Sequence, residues 1–151
     1  MISRFERFSF SISVIYRYIQ SIAGSVMEEY GLKGAHALYL SAMYRYPEGI
    51  TATELCRISG RDKAAISRAI SEMEKQGLVH REGVGSNLYR AKLMLTEQGR
   101  AAADNVNQLA AVAVDVASEG ISDDQRKMLY EMLDGIATHL QTLDEKGLPK
   151  K

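Results

Sequence analysis

Apolar residues recur at alternating steps of three and four through the first thirty residues of the chain. This spacing places them on one face of an α-helix, so the pattern predicts a long amphipathic helix. Gly31 is expected to end it, because glycine readily adopts the left-handed conformation that follows many last helical turns. The residues of this apolar stripe are Phe5, Phe8, Ile12, Ile15, Ile19, Ile22 and Val26.

The next two helices are predicted to be shorter. The second covers about residues 33–46, and Pro47 ends it because proline cannot continue a helix. The third begins at Thr51, whose hydroxyl forms a capping box with the Glu54 carboxylate, and it stops near Gly60. The residues in register along the second helix are Ala35, Leu38, Ala42 and Tyr46.

A fourth helix and a hairpin follow. The helix is predicted to begin at Asp62, a good N-cap residue, and to end at Gly77. The apolar period then changes to two, which is typical of a half-buried strand, and glycine, serine and asparagine residues between 83 and 87 supply a turn. The helix would bury Ile66, Ile70 and Met73, and the second strand of the hairpin would bury Ala91, Leu93 and Leu95.

Two more helices are predicted in the last third of the chain. Thr96 caps the fifth helix, Gly120 ends it, and a second capping box at Ser122 and Gln125 begins the sixth. Residues 144–151 are expected to fray. The apolar faces consist of Ala102, Val106, Leu109, Ala113 and Val116 in the fifth helix, and of Leu129, Leu133, Ile136, Leu140 and Leu143 in the sixth.

This order of elements predicts a mainly α fold with a small β-hairpin wing, a winged helix–turn–helix. We expect a single domain over residues 1–151, in which residues 32–96 form the winged helix–turn–helix. The first helix carries more apolar surface than so small a winged domain can cover, so residues 1–30 and 97–143 are predicted to be dimerisation helices. The residues expected in that interface are Phe8, Ile12, Ile15, Ile19, Leu133, Ile136 and Leu140.

The distribution of charge supports a polyanionic partner more than the total does. Nineteen basic and nineteen acidic residues cancel over the 151 residues. Residues 51–95 nevertheless carry eight basic and five acidic side chains, whereas residues 96–151 carry six and ten. A basic middle segment between neutral and acidic flanks is typical of a nucleic-acid reader with separate assembly helices.

A set of short motifs runs along the stretch 50–96 and its flanks: Ile50-Thr51, Glu54-Leu55, Gly60, Asp62-Lys63, Ile66-Ser67-Arg68, Met73-Glu74, Gly77-Leu78-Val79, Leu95-Thr96 and Gly99-Arg100, with Gly31-Leu32 before the second helix. With these motifs the stretch resembles the multiple-antibiotic-resistance-regulator (MarR) family of bacterial transcription factors, and the flanking helices fit as well. The resemblance implies an obligate homodimer that binds a pseudo-palindromic operator, often with small ligands that lower DNA affinity. The family's wing-tip Asp-Arg-Arg is replaced here by Asn87-Leu88-Tyr89, so the wing is expected to contribute less than usual.

DNA contacts are predicted on three elements. The exposed face of the fourth helix carries short hydrogen-bonding side chains and long cations, which suit a major groove, and Arg68 can reach either guanine or a phosphate. Arginines beside the preceding turn and cations on the hairpin are candidates for phosphate contacts, with solvated surface cations as the alternative. The full set is Arg57, Arg61, Lys63, Ala64, Ser67, Arg68, Ser71, Arg81, Arg90 and Lys92.

The sequence signals for a ligand cleft, a metal site or a redox-sensing cysteine are weaker. The family binds phenolic or carboxylate ligands in a cleft, and Tyr16, His36 and Tyr39 could line one, although core packing is the alternative for each. Three scattered histidines argue against a metal site, and Cys56 is expected to be a small core residue rather than a redox sensor.

No catalytic motif is recognisable, so no enzyme activity and no cofactor is expected. A cytoplasmic location is expected, because charged residues interrupt the apolar positions of the N-terminal twenty residues. The competing function is a winged-helix module that binds another regulator instead of DNA; zero net charge and the altered wing tip support that alternative.

Overall fold

The computed structural model describes residues 3–83 and 90–148. The chain divides into two compact units, Met1–Ala111 and Val112–Lys151, and the prediction of a single domain stays a prediction. The elements in chain order are α1 (Arg4–Met27), a 3₁₀ turn (Glu28–Tyr30), α2 (Ala35–Tyr44), β1 (Ile50–Thr51), α3 (Ala52–Ser59), α4 (Lys63–Lys75), β2 (Val79–Glu82), β3 (Lys92–Leu95), α5 (Glu97–Ala117) and α6 (Asp123–Lys146).

The predicted helix starts are confirmed by their caps. Capping boxes are present at Thr51 with Glu54 and at Ser122 with Gln125, and the Asp62 carboxylate accepts a hydrogen bond from the Ala65 N–H. Each cap satisfies backbone donors that the first helical turn leaves free. A further capping box begins α1 at Ser3, and α6 continues to Lys146, beyond the point where fraying was expected.

The turn between α3 and α4 is set by one glycine. Gly60 follows α3 with a φ of +64°, in the left-handed region that side chains with a Cβ rarely adopt. The chain therefore turns between α3 and α4 within three residues, and α4 begins after its Asp62 cap. This is the helix–turn–helix that the spacing of Gly60 and Asp62 predicts.

The sheet has one strand more than the hairpin alone. β3 lies in the middle and pairs antiparallel with β2 on one side and with the two-residue β1 on the other. Arg81 is opposite Leu93 in one ladder, and Ile50 is opposite Leu93 in the other. The predicted hairpin is thus confirmed in β2 and β3, β1 was not predicted, and the predicted turn residues from 85 to 87 lie outside the described residues.

The core of the first unit lies among α2, α3, α4, the sheet and the first half of α5. Ile66, Ile70 and Met73 are fully buried, as the α4 pattern predicts. The α2 prediction is wrong in part, because Leu38 and Tyr46 are exposed while His36, Tyr39 and Leu40 are buried. Since α2 is mostly apolar, its hydrophobic periodicity could not distinguish the covered side from the uncovered one.

Candidate nucleic-acid interface

One face of helix α4 packs against the core, and the opposite face is exposed. Its buried residues Ile66, Ala69, Ile70 and Met73 belong to the core. The opposite face carries five exposed residues that the sequence analysis assigned to DNA contact: Lys63, Ala64, Ser67, Arg68 and Ser71. The structure therefore brings these predicted residues together on one exposed surface of one helix, which we call the α4 face.

The polar side chains of the α4 face differ in whether they already form hydrogen bonds within the protein. The Ser71 hydroxyl donates to the Ser67 carbonyl oxygen at 3.0 Å, so it can offer a ligand only its lone pairs without breaking that bond. Arg68 is exposed and makes no hydrogen bond or ion pair with another described residue. Its five N–H donors are therefore available to a base edge or a phosphate.

The arginines beside the helix–turn–helix turn occupy different surroundings. The Arg61 guanidinium donates to the Tyr16 hydroxyl oxygen at 2.6 Å, which connects the turn to α1. Arg57 lies in the last turn of α3 and is exposed. The pKa of Glu54 is lowered, chiefly by the hydrogen bond from the Thr51 backbone N–H and then by the Thr51 hydroxyl, with Arg57 adding a smaller electrostatic contribution.

Two of the three predicted hairpin cations are engaged within the protein. Arg81 forms a two-pronged ion pair with Glu74 of α4, with its Nε 2.9 Å and its second guanidinium nitrogen 3.3 Å from the two carboxylate oxygens. The Lys92 ammonium donates to the Glu48 carbonyl oxygen at 3.1 Å. Arg90 is exposed beside the segment 84–89, which lies outside the described residues and contains the altered wing tip.

A buried histidine of α2, His36, contacts Glu72 of α4. His36 is 3% exposed, and its Nε2 lies 2.8 Å from a Glu72 carboxylate oxygen. Among the described residues Nε2 has no aligned hydrogen-bond partner, so the close approach to Glu72 is not a formed hydrogen bond. Nδ1 lies 3.1 Å from the backbone nitrogen and 3.0 Å from the carbonyl oxygen of Lys33. Sequence reasoning missed the partnership with Glu72 because the two residues are far apart in the chain.

The three candidate ligand residues lie in two environments. His36 and Tyr39 are buried with their rings edge to face at a centroid distance of 6.1 Å, whereas Tyr16 is exposed on α1. Cys56 is partly buried and packs against the core. Within residues 3–83 and 90–148, no cluster of three histidine, cysteine or acidic side chains is placed to hold a metal ion, and no helix is long and apolar enough to span a membrane.

The residues predicted for dimerisation are exposed in the single chain. On α1, Ile15 and Ile19 are 56% and 55% exposed, and Phe8 and Ile12 are exposed as well. On α6, no residue is buried, and the exposed apolar side chains include Leu133, Ile136 and Leu140. Both helices therefore present large uncovered apolar faces.

Comparison with known proteins finds a family model that matches part of the chain and solved structures with a similar fold. A family model described as MarR family matches residues 30–86, the range that contains α2, β1, α3, α4 and β2. A comparison with curated proteins found no match.

Three solved structures illustrate the structural likeness. A MarR transcriptional regulator from Methanosarcina mazei Go1 is 25% identical, with a TM-score of 0.78, and the match covers 91% of this chain and 99% of that one. A MarR-family transcriptional regulator from Listeria monocytogenes, solved in complex with a 26mer DNA, is 24% identical, with a TM-score of 0.82 and coverage of 100% and 99%. CouR from Rhodococcus jostii RHA1, bound to p-coumaroyl-CoA, is 24% identical, with a TM-score of 0.73 and coverage of 86% and 91%.

Proposed function

We propose that the chain is a member of the MarR family of winged-helix transcription regulators and that it binds double-stranded DNA through the α4 face. Members of this family regulate transcription and are not enzymes. The observation that carries the proposal is the α4 face itself, on which five predicted contact residues lie together and exposed. Small residues such as Ala64 and Ser67 allow close approach to base edges, and Arg68 supplies a long cation.

The hairpin would play a smaller part. Arg81 is held by Glu74 and Lys92 by a backbone carbonyl, and the third predicted cation, Arg90, is exposed. We expect contacts from Arg90, Arg57 and Arg61 to go to phosphates, which position a protein on the duplex without reading its sequence. Sequence discrimination would then come chiefly from α4.

We further propose that the active species is a homodimer on a pseudo-palindromic operator. The exposed apolar side chains along α1 and along α6 support this, because large uncovered apolar patches are rare on a monomer. A two-fold dimer presents two recognition helices, and its operator mirrors that symmetry. Because the proposed ligand is genomic DNA, we also propose a cytoplasmic location.

A small aromatic or carboxylate effector is the remaining part of the proposal. Its support is that CouR, which has the same fold, was solved with p-coumaroyl-CoA. In this chain Tyr16 offers an exposed hydroxyl, while His36 and Tyr39 would become accessible only if the core around α2 opened. Release of bound duplex on addition of p-coumaroyl-CoA or simple aromatic carboxylates tests it, and binding that none of them changes speaks against this class of effector.

Salt dependence of binding to random duplex tests the proposed function most simply. DNA binding releases counterions, so affinity measured by fluorescence anisotropy should fall steeply between about 50 and 200 mM salt. Absence of binding at the lower salt concentration, or an affinity that salt leaves unchanged, contradicts the proposal. That result would favour the alternative function, a winged-helix module that binds another regulator.

Arg68→Ala tests base reading separately from general binding. On a duplex selected by the wild-type protein from a random pool, we expect a loss of discrimination of about 1–3 kcal/mol, the value of a good contact between a side chain and a base. Lys127→Ala removes a cation from α6 and should leave both affinities unchanged. If Arg68→Ala weakens selected and random duplex equally, Arg68 contacts phosphate and the base-reading assignment is wrong.

A further inference from the structure

One hydrogen bond joins the helix–turn–helix turn to the long N-terminal helix. The Arg61 guanidinium nitrogen lies 2.6 Å from the phenol oxygen of Tyr16, which is 45 positions earlier in the chain. Arg61 lies between Gly60, which makes the left-handed turn, and Asp62, which caps α4. A residue of α1 therefore holds the cation at the start of the recognition helix.

The chemistry of the pair leaves it suited to an anion. Because a guanidinium has donors only, the phenol oxygen must be the acceptor in this contact. The phenol hydrogen then points elsewhere, and four of the five guanidinium N–H donors remain uncommitted by this bond. Both side chains are exposed, so a phosphate oxygen can approach the remaining donors.

An unrestrained arginine loses side-chain freedom when it binds a phosphate. Ordering a long side chain costs rotamer entropy, and a partner that orders it beforehand reduces that cost. The contrast with Arg68 is direct, since Arg68 makes no such contact with another described residue. A tethered arginine at the turn and an untethered one on α4 fit a positioning contact and a reading contact respectively.

We propose that Tyr16 is a positioning residue for DNA binding, which orients Arg61 toward a backbone phosphate beside the helix–turn–helix turn. The inference rests on the proposed function, because it needs a duplex for Arg61 to contact. It adds that α1, beyond its proposed part in dimerisation, contributes a side chain that prepares the DNA-contacting surface. The contribution is independent of DNA sequence, because phosphate contacts carry no base information.

Tyr16→Phe removes the hydroxyl and keeps the ring, so it tests the hydrogen bond alone. We expect the affinity for random and selected duplexes to fall alike, by about threefold to tenfold, because Arg61 must then be ordered when the duplex binds. Tyr18→Phe is the matched control, because Tyr18 is a nearby exposed tyrosine of α1 whose ring lies under Arg17 and not near the turn. It should leave the affinity unchanged.

The double variant decides whether Tyr16 acts through Arg61. Arg61→Ala should lower the affinity and make the log–log salt slope shallower by about 0.9, and adding Tyr16→Phe should change neither any further. Additive losses, wild-type affinity in Tyr16→Phe, or a loss accompanied by a lower unfolding midpoint or molar mass would each overturn the inference. Failure of the wild-type protein to bind any duplex would instead overturn the proposed function.

Discussion

The winged-helix segment, residues 32–96, and the long helices α1 and α6 use their apolar residues in opposite ways. Most of the buried apolar side chains lie in the winged-helix segment, where α2, α3, α4 and the sheet enclose one another. On α1 only Met27 is buried, and on α6 no residue is. The winged-helix segment supplies most of a core that Met27 and the first half of α5 complete, whereas α1 and α6 leave apolar faces for which a second copy is the proposed cover.

The difference shows that the hydrophobic periodicity of a helix does not reveal whether its apolar face is buried within the same chain or left exposed. The stripes of α1, α4 and α6 have similar spacing, yet only the α4 stripe is buried within the chain. Burial of apolar surface stabilises a protein by roughly 25 cal/mol per Å², whether the covering atoms come from the same chain or another. The four experiments below run from the largest expected effect to the smallest.

Ile15→Glu should abolish the dimer. A carboxylate placed in a buried apolar interface without a partner costs on the order of 3–5 kcal/mol, enough to leave monomers at micromolar concentration. Ser21→Glu, on the opposite side of α1, should leave the dimer intact. The readout is molar mass from light scattering, and an unchanged mass in Ile15→Glu would remove this part of α1 from the interface.

Leu40→Ala and Leu38→Ala compare the two sides of one helix. Leu40 is 0% exposed and Leu38 is 56% exposed, two positions apart on α2. We expect the first change to lower the free energy of unfolding by about 2–5 kcal/mol and the second to alter it by less than about 0.5 kcal/mol. Urea denaturation measures both, and equal losses would mean that Leu38 is covered in solution.

Double-mutant cycles compare an ion pair of the winged-helix segment with an ion pair of the second unit. The Glu74–Arg81 pair is two-pronged and less than a third exposed, so we expect a coupling of about 1 kcal/mol in urea denaturation. The Asp115–Arg126 pair of the second unit is longer, at 3.4 Å, and its aspartate is largely exposed. Its coupling should be near zero, and a larger coupling there than at Glu74–Arg81 would reverse the comparison.

Acid sensitivity should differ between the two capping boxes. The pKa of Glu54 is lowered from its ordinary value of 4.5, so its stabilising contribution is present above that pH and is lost as the pH falls through the lowered pKa. The other box uses the amide of Gln125 and does not titrate. Glu54→Gln should reduce the loss of stability on acidification, and Gln125→Glu should increase it. If the stability of both variants depends on pH in the same way as that of the wild type, this assignment is contradicted.

Much of the fold follows from the sequence because local chemistry specifies it. The capping residues Thr51, Asp62 and Ser122 begin the helices where predicted, and Gly60 ends α3. The face of α4 could be assigned because its polar and apolar residues separate cleanly. β1 was missed because two residues show no period, and the α2 face was partly wrong because nearly every side of that helix is apolar.

The sequence predicts which residues form the candidate interface, but it does not predict which of their side chains are already bound by other residues of the protein. Sequence shows which cations lie near the turn and the hairpin, yet only the folded arrangement shows Arg81 held by Glu74, Lys92 held by Glu48 and Arg61 held by Tyr16. These partners lie between 7 and 45 positions apart in the chain. Pairings over such distances depend on tertiary packing, which periodicity and composition do not encode.

Molar mass measured by light scattering on the wild-type protein at micromolar concentration tests the contrast between the two regions most directly. The account predicts twice the chain mass of 16.8 kDa, because the exposed faces of α1 and α6 require a second copy to cover them. A mass of 16.8 kDa, from a protein that still unfolds cooperatively, would contradict it. The long helices would then be stable with their apolar faces in water, and the division between the two regions would be lost.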